Sequence, residues 1–96
     1  MRLVFSPASR IDLLGIQAYI AKDKPESAAT FVDKLEHECK LLTRFPEWGA
    51  KQDHLAPELR RTTYRGYAIY YLVLVDKIRI VRVLHPSLNV VTQTFD

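Results

Sequence analysis

Hydrophobic positions change their period twice along the chain. Leu13, Ile16 and Ile20 recur at helical spacing, and so do Ala28, Phe31, Val32, Leu35, Cys39 and Leu42, whereas residues 59–85 read as strands. The first stripe predicts a helix over about 7–22, with Tyr19 on its flank. Ser6 suits the N-cap, and Pro7 suits the first helical position, where a missing N–H costs nothing. Asp23-Lys24-Pro25 breaks that helix, and Pro25 starts a second whose first-turn Glu26 complements the helix dipole. Asp33, Lys34, Glu36, Glu38 and Lys40 fall mostly opposite its apolar stripe. So short a connection makes the two helices an antiparallel hairpin. Ahead of them, residues 2–5 with Val4 and Phe5 form a short strand.

One long loop over residues 45–57, punctuated by Pro46, Gly49 and Pro57, leads into strands at about 59–64, 67–75 and 78–85. Arg65-Gly66 and Asp76-Lys77 are short enough for two-residue hairpins. Residues 67–75 are apolar on both alternating faces, as expected of a central strand covered on both sides. The expected architecture is α+β: an N-terminal strand and a helical hairpin packed on an antiparallel sheet whose last three strands form a meander. Residues 1–96 make one domain.

Two-residue turns fix a register. Val75 faces Ile78, so Tyr71 faces Arg82 and Ala68 faces His85; Tyr64 faces Tyr67, so Arg60 faces Tyr71. Arg60, Tyr71 and Arg82 then align across three strands. They form either an anion site of two guanidinium forks flanking a ring, or a brace in which both arginines reach acids such as Asp12 or Glu36 on the helices. His85 falls on the face of Arg79, Val81 and Val83, with no second acid–base group beside it in its own strand. Metal-free RNA cleavage needs a base, an acid and a charge stabiliser in hydrogen-bond reach, and this register does not assemble them.

Two helices cover one face of the sheet. The other face still carries apolar residues, either Tyr70, Leu72, Leu74, Val81 and Val83 or the set of Ile69, Val73 and Ile80. A patch of that size implies a polypeptide partner across it, or residues 90–95 folding back over part of it.

Charge sharpens this picture. The net charge is +3, yet residues 1–58 hold eight Lys/Arg against nine Asp/Glu, and residues 59–96 hold six against two. A basic C-terminal part admits an acidic partner, nucleic acid or protein. The hydrophobic share of 48% excludes a disordered chain. No apolar run spans a membrane, and no signal peptide opens the sequence. With one cysteine no internal disulfide forms, so a reducing, cytoplasmic setting is expected. No Cys/His set suits a metal and no glycine motif suits a phosphate, so no metal or cofactor is expected. His37 reads as a polar-face residue of the second helix and Cys39 as a buried small hydrophobe. His54 stands in the loop without ligand spacing. Trp48, in PEWG, either pins the loop or, if exposed, anchors an interface.

The ordered set YIA…P…A…F…L…L…FP..G and then YRGYAIYYLVLVDKIRIVRVLHPSLNV resembles the RelE/ParE toxin superfamily over almost the whole chain. The resemblance implies the toxin half of a type II toxin–antitoxin pair of the plasmid-stabilisation kind, bound by a small antitoxin, with no sequence-specific DNA binding of its own. RelE-like members are ribosome-dependent ribonucleases that use arginines, lysines and a late tyrosine. ParE-like members poison DNA gyrase without a catalytic triad. Here Thr63 stands where the ribonuclease branch has an arginine, and no tyrosine follows Tyr71. RVLHPSLNV resembles the ParE ending, which favours a non-enzymatic gyrase inhibitor. On that reading His85, Ser87, Leu88, Asn89 and Arg79 touch the target, and Tyr70, Leu72, Leu74, Val81 and Val83 take the antitoxin. On the ribonuclease alternative, Arg60, Arg82 and His85 carry the chemistry.

Overall fold

Ser6 joins the first helix to the sheet. Its Oγ accepts the N–H of Ser9 (3.0 Å) as an N-cap, while its hydroxyl donates to the Val81 carbonyl (2.7 Å) and its N–H to the Ile80 carbonyl (2.9 Å). The computed structural model describes residues 1–95. Strand β1 (Arg2–Phe5) leads into helix α1 (Pro7–Ala21), and Pro25 opens α2 (Pro25–Leu41), with Glu26 in its first turn and Lys40 in its last. Then come β2 (Ala50–Lys51), β3 (Arg60–Tyr64), β4 (Tyr67–Val73), β5 (Lys77–Leu84) and a single 3-10 turn at Val90–Thr92.

Among the described residues five strands form one mixed sheet in the order β1-β5-β4-β3-β2, with β1 parallel to β5 and the other pairs antiparallel. The expected antiparallel sheet is corrected on two points. β2 lies inside the long loop, too short for any alternation to mark it, and the first strand runs parallel to its neighbour.

Arg65 and Gly66 have φ of 51° and 87°, the doubly left-handed turn that matches strand twist, so Tyr64 faces Tyr67 and Arg60 faces Tyr71 as the sequence predicts. The next hairpin differs. Val73, not Val75, pairs with Ile78, and the Leu74 N–H closes on the Lys77 carbonyl at 2.9 Å, leaving Val75 at an exposed tip. A bulge follows: Tyr71 pairs with Ile80 but Tyr70 with Arg82, so Val81 is an extra residue in β5. Arg82 therefore does not face Tyr71, nor His85 Ala68, and the aligned row of two arginines about a tyrosine is not formed.

The bulge also splits side chains that strict alternation would group. Val83 joins Leu13, Ile16, Leu35, Cys39, Ile69 and Tyr71 in the core between helices and sheet. Val81 joins Leu59, Ala68, Tyr70 and Leu84 on the opposite face. That second cluster is covered by the chain itself, through Leu55 and Ala56 of the loop and Val90 and Phe95 of the C-terminal segment, with Phe95 4.8 Å from Tyr70 between ring centroids. No helix among the described residues is long and apolar enough to cross a membrane.

Candidate functional site

The chain leaves β5 through His85-Pro86-Ser87-Leu88, a tight turn closed by the Leu88 N–H on the His85 carbonyl at 3.0 Å. Inside it, His85 Nδ1 accepts the Ser87 N–H (3.1 Å) and lies 2.7 Å from Ser87 Oγ. An accepting Nδ1 places the proton of the neutral ring on Nε2 and fixes its orientation. The imidazole stands edge-on to two phenol rings, Tyr67 of β4 at 5.5 Å and Tyr19 of α1 at 6.0 Å. Burial, and secondarily Tyr19, pushes the Tyr67 hydroxyl above the ordinary phenol range, so it stays neutral.

These groups line an open groove of about 400 Å³ between α1 and the end of β5. Ile11, Tyr19 and Leu88 around it are all solvent-exposed, as is Leu14 on the same helix. A Cβ added at Gly15 would meet nothing within 4 Å, and this glycine leaves the α1 wall low between Ile11 and Tyr19. The α1 surface is thus apolar on its outer side as well as its buried one, an arrangement typical of helices that meet a partner.

Under one wall of the groove Asp12 holds Arg82. Nε meets Oδ2 at 2.8 Å and Nη2 meets Oδ1 at 2.9 Å, while Oδ2 also accepts the backbone N–H of Val83 (2.9 Å) at the edge of β5 past the end of β1. Arg82 Nη1 adds the Thr94 carbonyl at 3.2 Å. The hydrogen bond to Asp12 raises the Arg82 pKa, against the lowering effect of burial. Of the two readings of this arginine, the brace to Asp12 is the one found. Arg60 is also engaged, but with backbone: its Nη1 donates to the carbonyls of Gly49 (2.7 Å) and Glu47 (3.3 Å) rather than to an acid.

The turn therefore gathers His85, Ser87 and Leu88, with Asn89 next to it capping the 3-10 turn through Oδ1 to the Val91 N–H (3.2 Å). Arg79 is not gathered there; it pairs with Leu72 farther back along β5. Arg60, Arg82 and His85 do not converge: Arg60 faces Tyr71, four residues or roughly 13 Å along β4 from Tyr67. Nor do the five residues assigned to an antitoxin form one open surface. Tyr70 and Val81 are buried beneath the chain's own loop and C-terminal segment, and Val83 lies on the helix side, leaving Leu72 half-buried and Leu74 exposed near the hairpin tip. Sequence reasoning missed Tyr19 and Tyr67 as neighbours of His85, because the bulge that turns His85 toward them has no mark in the sequence. Among the described residues no cluster of three or more His, Cys, Asp or Glu is placed to hold a metal.

Residues 3–88 match the family model described as the ParE toxin of the type II toxin–antitoxin system parDE. Among solved structures, a chain of the chromosomal ParDE TA system from P. aeruginosa superposes with a TM-score of 0.77 at 23% identity, over 88% of this chain and 95% of that one. No curated protein matches the sequence.

Proposed function

Because the chain belongs to the ParE toxin family of type II toxin–antitoxin systems, we propose that it inhibits DNA gyrase and is neutralised by a cognate antitoxin. The target contact in this reading is the groove between α1 and the turn after β5, with His85, Ser87 and Leu88 on one side and Ile11 and Tyr19 on the other. The observation that carries it is the combination of an ordered turn with an exposed apolar rim. The turn is held by three hydrogen bonds through His85, and its neighbours leave aliphatic and aromatic surface largely uncovered by the chain itself. Such a surface suits protein–protein contact better than catalysis. Both arginines of the ribonuclease alternative have their guanidinium groups tied to acceptors within the chain, which weighs against phosphate chemistry.

The test is a supercoiling assay with purified chain and gyrase, read for loss of supercoiling and for trapped cleaved DNA. Inhibition at about micromolar protein is expected. Unaffected gyrase, together with codon-positioned cuts in mRNA during expression, would transfer the assignment to the ribonuclease branch.

A further inference from the structure

Trp48 is the chain's one tryptophan and is 74% exposed, with Phe45 beside it 57% exposed. Neither packs in either core cluster. The loop that carries them is nevertheless locked from beneath. The hydroxyl of Tyr71, a fully buried side chain of β4, accepts the Gly49 N–H at 2.7 Å and donates to the Pro46 carbonyl at 2.9 Å. Arg60 holds the carbonyls of Glu47 and Gly49 from the same side, and the Trp48 N–H closes on the Phe45 carbonyl at 3.0 Å. A Cβ on Gly49 would lie 2.8 Å from both Tyr71 and the Arg61 carbonyl, so backbone and ring are in direct contact there. A partly buried polar network, centred on the Tyr71 hydroxyl, thus fixes a loop whose outward side chains lie outside both core clusters. Ordering these residues in advance removes a cost that binding would otherwise bear.

The shelf opens onto an apolar cleft of about 320 Å³ between Leu41 and Leu42 of the α2 end and Thr62 and Thr63 of β3. Glu38 is the charged residue that lines this cleft, and Glu47 lines the adjoining hollow under Phe45 and Trp48. Among the described residues neither carboxylate is in an ion pair. The cleft shares no residue with the groove beside His85.

We propose that this shelf docks the antitoxin, through a segment that sets a bulky apolar side chain against Phe45, Trp48 and Leu41 and a lysine or arginine against Glu38 and Glu47. The proposal rests on the toxin–antitoxin reading above and names the surface that reading lacks, since the chain itself covers Tyr70 and Val81. A second copy of the chain is the poorer occupant: a twofold contact centred on Trp48 would bring these carboxylates toward their own equivalents. A basic segment of another protein meets them with opposite charge.

The lone tryptophan makes the site directly readable. The protein encoded by the adjacent gene, purified as the probe, is titrated into the full chain while complex formation is followed by co-elution and Trp48 by its emission and iodide quenching. Binding is expected to shift the emission to the blue and to reduce quenching. Phe45→Ala should weaken binding about tenfold, Trp48→Ala about 30-fold or more, and Glu38→Lys with Glu47→Lys should weaken it in a way that added salt reduces. Melting temperatures identify any variant that loses fold, and Glu47→Lys, at an exposed position, then carries the comparison alone. Co-elution with unchanged Trp48 emission and quenching overturns the proposal and leaves the toxin–antitoxin pairing standing. A blue shift that grows with the chain's own concentration, accompanied by a dimer mass, overturns it in favour of a second copy. Absence of any complex removes the pairing and the proposal together.

Discussion

Asp12 grips Arg82 with both carboxylate oxygens, at 2.8 and 2.9 Å, and with the same Oδ2 caps the Val83 N–H. Their side chains are only 12% and 14% exposed, so this is a partly desolvated pair that joins α1 to β5, not a surface ion pair. Arg82→Ala leaves the Asp12 charge partly buried and should cost about 3 kcal/mol. Asp12→Asn keeps an acceptor for Val83 and should cost less. Urea denaturation of both variants checks the order; an Arg82→Ala chain as stable as the parent would show that the pair is not a brace.

Gly49 offers a second test of packing. Any side chain there meets Tyr71 and the Arg61 carbonyl at 2.8 Å, and the obstacle is a buried ring and backbone rather than a flexible tip. Gly49→Ala should displace the loop and break its hydrogen bond to Tyr71, at a cost of about 1–3 kcal/mol. Tyr71→Phe should cost a similar amount by leaving the Gly49 N–H and Pro46 carbonyl unpaired, without overpacking. Melting curves of the two single variants and the double variant show whether they act through one contact: costs that add in full would separate them.

Alkaline pH should unfold the protein early. Burial, and then the nearby Glu36 and Glu38 charges, pushes the Cys39 thiol from an ordinary 9.0 up to about 12. Burial likewise raises the Tyr67 and Tyr71 hydroxyls. A raised acid pKa means the folded chain keeps a proton that the unfolded chain gives up. Stability from Cys39 is thus fully present below pH 9.0 and is lost as pH climbs toward about 12, by on the order of 4 kcal/mol across the window. Unfolding free energies measured from neutral pH upward should fall above pH 9.0, and Cys39→Ala should flatten that fall. The same thiol should resist alkylation until the chain unfolds.

For the groove, Leu88→Asp and Tyr19→Ala alter exposed side chains and should leave the melting temperature within about 0.5 kcal/mol equivalent of the parent. Both are expected to lower gyrase inhibition at least tenfold, as loss of an anchor worth about 1–2 kcal/mol does. Val75→Asp, at the exposed hairpin tip, serves as the control that leaves inhibition intact. Equal inhibition by all three would move the target contact off this surface.

The parts of the fold that depend on strong local chemistry were readable from sequence. Ser6-Pro7 and Pro25 set both helix starts, and Arg65-Gly66 set a turn and with it a correct register for β3 and β4. The fold-back of residues 90–95 over the outer face was one of the two ways to cover its apolar side chains, and Val90 and Phe95 do pack there. What failed was the last hairpin. Asp76-Lys77 looks like a two-residue turn, yet the loop closes at Leu74 and an inserted Val81 then shifts the pairing again. Two small irregularities, neither with a glycine or proline to announce it, moved Arg82 away from Tyr71 and turned His85 toward Tyr19 and Tyr67. Candidate sites built on that register inherited its error, whereas the turn at residues 85–88 survived as a unit because its hydrogen bonds are local.

The position of β5 has a consequence for when this protein can do harm. It is the last strand in sequence but lies second in the sheet, between β1 and β4, and its partner Ser6 is 75 residues away along the chain. Contacts of such separation form only after the intervening chain is available. A chain interrupted before β5 lacks the strand that joins β1 to β4, the Asp12–Arg82 pair and the turn that starts at His85. The groove between α1 and the turn after β5 therefore exists only once residues 77–88 have been made, and synthesis halted before them yields a chain without it.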